Sequence, residues 1–161
     1  MDYQALTSLT ALFFDQAAAF GDGPFLWAKR DGTYQSQSWR QAAETVKELS
    51  RGLRHLGLQK GDRVVLVAEN RPEWLLADLA IMAAGGITVP AYTTNTAHDH
   101  NHILTNSEAV GAIVSTRALA RRLLPAAIEA PACNWVIGIE DPDIEQKVTV
   151  DVHLWSDVLE R

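Results

Sequence analysis

Four sets of residues in this 161-residue chain have types and spacing that could do chemistry. His98, His100 and His102 carry metal-ligating imidazoles at alternate positions. Residues two apart converge in a strand, but in a helix they point about 200° apart, so the set reads as the polar start of a helix rather than a metal centre. Gly52 and Gly57 have the spacing of a phosphate-binding loop. Leu58 and Gln59 stand where that loop needs Lys and Ser or Thr, and the pair sits at a helix end. Glu140, Asp141, Asp143 and Glu145 could hold Mg²⁺, yet around Pro142 they read first as a solvated turn. Cys133, the only cysteine, has no His near it in sequence and reads as a packing residue. No catalytic constellation and no metal site are therefore expected.

A fifth set is Asn70, Tyr92, Thr93 and Thr94. These residues are polar and fall just past two expected strand ends, so they could line one crevice. The competing reading makes them turn and capping residues.

The elements that would carry them centre on residues 60–94. Arg63 to Ala68 is a short apolar run entered through Gly61-Asp62, as in a strand buried on both faces. Pro72 has φ preset for a first helical turn, so a helix should run from there to about Ala84. Its residues are apolar on nearly every side, which requires cover by other elements and makes Trp74 a core residue. Gly85-Gly86 ends it, and Ile87 to Pro90 is a second strand, completing a βαβ unit.

Before this unit, Leu6 to Phe20 has helical apolar spacing, and residues 25–29 and 33–37 flank Asp31-Gly32 as a hairpin. Ser38 with Gln41 forms a capping box for a helix from Trp39 to Leu56, closed by Gly57. After the unit come a weaker helix at 98–107, a strand at 110–115 and a helix at 117–124 ended by Pro125. A strand at 134–139, an edge strand within 148–154 and a last helical turn at 156–159 complete the chain. Strands separated by helices predict a three-layer α/β/α fold with a mainly parallel sheet, plus an N-terminal helix and β-hairpin. Residues 1–161 read as one domain, with residues 1–24 as its N-terminal helix and linker. In such sheets ligands bind beyond the carboxyl ends of the strands.

Composition excludes several classes. With 14 Lys and Arg against 20 Asp and Glu, the formal net charge is −6 and the cations are scattered, so nucleic acid is not an expected partner. No apolar run reaches the length of a membrane span, and Asp2 and Asp15 argue against a secretory signal. One cysteine fits a reducing, cytoplasmic setting.

Four short motifs in order support a family resemblance. They are Gly57-x-x-Lys60-Gly61-Asp62-Arg63-Val64, Asn70-Arg71-Pro72-Glu73-Trp74, Gly85-Gly86 with Val89-Pro90, and Tyr92-Thr93-Thr94-Asn95-Thr96-Ala97. From about Gly32 to Ser115, and more loosely to the end, the chain resembles the opening part of the AMP-forming acyl-activating enzymes. The Asn-Arg-Pro-Glu-Trp and threonine-rich segments look most like the long-chain fatty-acyl-CoA synthetase branch.

That resemblance implies a ligase in which a fatty-acid carboxylate attacks the α-phosphate of Mg·ATP and CoA then displaces AMP. The family supplies its phosphate contacts from a Ser/Thr/Gly-rich loop ending in Pro-Lys-Gly, a Tyr-Gly-x-Thr-Glu segment, a ribose-binding Asp and a Lys on a mobile C-terminal domain. None of these is in the chain. The chain is therefore expected to be an N-terminal subdomain that binds no cofactor and activates no acid alone. ATP, Mg²⁺ and CoA would serve the intact enzyme, which could be membrane-associated. The expected partners are the remainder of that enzyme and, through it, a fatty acid; a homodimer through uncovered apolar surface is also open. A stand-alone regulatory module derived from the family, and a receiver-like switch, stay open as alternatives.

Overall fold

The computed structural model describes residues 7–143 and 149–161. Leu6, Glu145 and Val148, used in the sequence reading, lie outside the described residues. Helix α1 (Leu9–Phe20) starts three residues later than the apolar spacing suggests, because the Ser8 hydroxyl accepts from the Ala11 N–H and sets the N-terminus there. The hairpin β1 (Pro24–Arg30) and β2 (Thr33–Ser38) follows, then α2 (Trp39–His55), opened by the expected Ser38–Gln41 capping box. Phe25 of β1 stacks on Trp39 with ring centroids 3.7 Å apart, which ties the hairpin to the helix it precedes.

The βαβ unit is β3 (Arg63–Val67), α3 (Pro72–Ala84) and β4 (Ile87–Pro90). Gly85 closes α3 in the left-handed region at φ 96°, where a side chain would be strained. Then come α4 (Ala97–Ser107), β5 (Gly111–Val114), α5 (Arg117–Glu129), β6 (Trp135–Gly138), β7 (Asp151–Leu154) and α6 (Trp155–Leu159). In the five-stranded sheet the order is β4-β3-β5-β6-β7 and every pairing is parallel, whereas β1 and β2 pair antiparallel in a sheet of their own.

Alternation along β3 builds two cores. Val64 and Leu66 join the apolar faces of α1, α2, α3 and α6, whereas Val65 and Val67 join α4 and α5. Helices thus cover both faces of the sheet, which is the three-layer arrangement expected.

Two expectations are corrected. Pro125 does not end its helix: α5 continues to Glu129 with Pro125 inside it. The proline and Arg121, whose carbonyl loses its donor, are both exposed, while Ala126 and Ala127 beyond are buried. Water can satisfy the freed carbonyl, and packing of the last turn offsets the lost bond. Helix α4 is also better specified than its weak pattern implied. Thr96 and Asp99 form a capping box, with the Asp99 carboxylate accepting from the Thr96 N–H at 2.8 Å.

Candidate functional site

The carboxyl ends of β3 and β4 are brought level by their parallel register, in which Leu66 faces Pro90. The Ala91 N–H extends the ladder to the Leu66 carbonyl at 3.0 Å, so the segments leaving the two strands start side by side. Between them lies a cleft of about 560 Å³ lined by Ala68, Glu69, Asn70, Trp74, Pro90, Ala91, Tyr92 and Thr93. Three of the four candidate residues, Asn70, Tyr92 and Thr93, therefore share one cleft. Thr94 stands outside this lining, exposed in the turn that the Asn95 N–H closes on the Tyr92 carbonyl at 3.2 Å.

Each wall is held in place by a contact from elsewhere. The Ser115 hydroxyl, fully buried at the end of β5, donates to the Glu69 carboxylate. Arg122 of α5 donates through Nη2 to the Thr93 carbonyl at 2.8 Å. Tyr92 is 81% exposed, so its ring is available to whatever occupies the cleft.

Asn70 also lines a larger groove of about 710 Å³, running between residues 26–30 of β1 and residues 70–75. Its floor is an ion network. Arg71 Nε bonds Glu73 at 2.9 Å, its Nη1 reaches Glu140 at 3.2 Å, and Arg30 meets Glu73 from the hairpin at 3.4 Å. Burial pushes the Glu73 carboxyl up, but the hydrogen bonds from Arg71 and from its own N–H, with the charges of Arg71 and Arg30, hold it below the usual carboxylate range. Its stabilising contribution is present above the unfolded carboxylate pKa and is lost as pH falls through the lowered folded value.

Trp74 needs a further correction. It packs against the core only in part and lines both the cleft and the groove, so it is not the buried core residue its helix suggested. Trp74→Ala is accordingly expected to cost about 1–2 kcal/mol in urea unfolding, below the range for a buried aromatic. A loss above about 3 kcal/mol would restore the core assignment.

The three histidines, the acidic residues Glu140, Asp141 and Asp143, and Cys133 lie outside the cleft lining. His98 and His102 are exposed while His100 is buried, so the three imidazoles diverge around α4. Burial pushes the Cys133 thiol up to about 11, and its Sγ lies 3.7 Å from the Trp135 carbonyl oxygen. Glu140 is paired with Arg71, and Asp143 with Arg117 at 2.8 Å. Among the described residues no group of three or more His, Cys, Asp or Glu could hold a metal ion. The cleft lining includes a carboxylate, Glu69, and no Lys or Arg, whereas a triphosphate needs cations and converging N–H donors. These residues do not fit Mg·ATP by themselves.

Sequence reasoning reached the cleft through the strand-end rule and missed what braces it. Glu69 directly follows the expected strand at 63–68 and Ser115 ends the one at 110–115, but their pairing across 46 positions requires the β3–β5 register. Nothing local marks Arg122, 29 residues from Thr93.

Comparisons with known proteins agree with this architecture. The profile described as "AMP-binding enzyme" matches residues 13–156. A long-chain-fatty-acid–CoA ligase of Mycobacterium tuberculosis is 36% identical over 109 residues, covering 68% of this chain and 18% of that protein. An acyl-CoA ligase of Aspergillus niger is 38% identical over 117 residues, covering 71% and 21%. The chain thus spans about a fifth of the length of the curated relatives it matches. In fold, it superposes on the adenylation domain of a carboxylate reductase from Mycobacterium chelonae with TM-score 0.82 at 13% identity, over 99% of this chain and 29% of the other. A benzoate CoA ligase from Burkholderia xenovorans gives 0.76 at 22%, over 96% and 28%. Among the described residues no helix is long and apolar enough to cross a membrane.

Proposed function

Because the chain belongs to the AMP-binding enzyme family, we propose that it is the N-terminal part of an AMP-forming fatty-acid–CoA ligase and forms one wall of the acyl and nucleotide cleft. The cleft at the carboxyl ends of β3 and β4 carries the reading, with Asn70, Tyr92 and Thr93 on its lining and Thr94 on the adjoining turn. Residues 1–161 act as one subdomain, and the remainder of the enzyme is its partner.

In that enzyme ATP, Mg²⁺ and CoA supply the adenylation and thioester chemistry in a cytoplasmic setting. This chain contributes shape: an indole and a phenol beside Ala68, Pro90 and Ala91 offer apolar surface to an acyl chain, and the Asn70 amide and Thr93 hydroxyl offer hydrogen bonds at its polar end. The cation-poor lining supports the further reading that the isolated chain activates no acid.

Two measurements test this. ATP–pyrophosphate exchange by the purified chain is expected to stay at background with fatty acids of any length, and exchange above background would refute the claim of inactivity. Titration with octanoate is expected to move the backbone NMR signals of Asn70, Trp74, Tyr92 and Thr93. Shifts confined to other regions would remove the cleft assignment.

A further inference from the structure

His100 occupies an apolar slot of α4, on the same face as Leu104, and is fully buried. Neither of its ring nitrogens has a hydrogen-bond partner among the described residues. Such a ring is cheap to bury only when neutral, because a buried cation lacks both water and an acceptor. The groups that act on it differ in sign. Arg122 of α5, packed against α4, opposes protonation, and Asp99 of its own helix favours it; β3 presents Val65 and Val67 on that side. Burial and Arg122 outweigh Asp99 and hold the His100 pKa below its ordinary value. Arg122 is also the side chain that grips the Thr93 carbonyl.

We propose that Arg122 is a positioning residue for the Tyr92–Asn95 turn of the cleft, and that its hold depends on His100 being neutral. When His100 takes a proton, its charge repels that of Arg122 on the helix packed against its own. The guanidinium is the mobile partner, since it is only partly buried and, among the described residues, ends in one hydrogen bond to a turn, whereas the imidazole is enclosed. Release of Arg122 frees the Thr93 carbonyl and loosens the turn. The sign follows from linkage: with the folded pKa lowered, the stability contribution is present above the unfolded value near 6.5 and is lost as pH falls through the folded one. This inference rests on the cleft reading for its relevance but not for its test.

The test follows the amide protection of Asn95, whose N–H closes the turn, from about pH 8 down to the pH at which the chain unfolds, alongside the His100 ring signals, and a ring that takes no proton while the chain stays folded overturns the gate. In the unaltered chain, protection corrected for intrinsic exchange is expected to drop about tenfold at acid pH, with the midpoint of His100 titration. His100→Leu should abolish the drop, and Arg122→Gln should give low protection at every pH. His153, also lowered by burial and the Arg161 charge, titrates in all three chains and serves as the internal control. Protection unchanged in Arg122→Gln overturns the positioning role. A turn that loosens at a midpoint different from that of the His100 ring overturns the pH gate and needs no variant to detect it. Failure of octanoate to shift the cleft signals while the turn still follows His100 would count against the cleft reading alone.

Discussion

Leu66→Ala is expected to lower the unfolding free energy by about 2–5 kcal/mol. Leu66 lies in β3 with β4 and β5 on either side, facing Pro90 and Ile113 in register, and is fully buried in the core shared with α2 and α3. Truncation removes apolar contact and leaves a void, and relaxation is hindered because the strand is hydrogen-bonded along both edges. A domain typically has about 5–15 kcal/mol in total, so this one side chain supplies a large share of it. The effect should also reach the cleft, because the Leu66 carbonyl accepts the Ala91 N–H that sets the two walls level. Urea unfolding with an unchanged slope and a lowered midpoint, together with faster exchange at Ala91, is the expected result. A cost below about 1 kcal/mol would mean that the core around β3 collapses onto the missing atoms more freely than a two-sided parallel strand permits.

The elements that sequence reasoning placed well are those whose signal is local. The β3–α3–β4 unit carries its own punctuation in Gly61-Asp62, Pro72 and Gly85-Gly86, and the α2 start is written in Ser38 and Gln41. Helix α4 was underestimated because an aspartate at the third position closes its capping box in place of the usual Glu or Gln. Pro125 misled because a proline is read as a breaker unless its orientation toward solvent is known, and that depends on which face of α5 meets the sheet. Trp74 misled for a related reason: composition says that α3 is covered, but not where the cover stops. The same limit applies at the cleft. Strand ends can be listed from sequence, whereas Ser115 on Glu69 and Arg122 on Thr93 exist only once register and helix packing are set.

Gly52→Ala opposes two effects of known size. Gly52 is inside α2, where alanine should favour the helix by about 1 kcal/mol. Its missing side chain, however, is where α6 passes: an added Cβ would stand inside van der Waals contact of the Val158 carbonyl oxygen and Cγ1. The backbone oxygen cannot rotate away, so α6 must move as a unit. Val158 is fully buried, and exposing it forfeits about 1.5–3 kcal/mol before the partial burial of Trp155 and Leu159 is counted. The clash is expected to win, with a net loss of about 2 kcal/mol in urea unfolding and loss of amide protection concentrated in α6. An unchanged or raised midpoint would mean that helix propensity decides the outcome and that α6 rests on α2 loosely enough to give way. The glycine that resembles half of a phosphate-binding loop is thus assigned a packing role, admitting the last helix to the core, and the variant separates that role from mere tolerance of glycine in a helix.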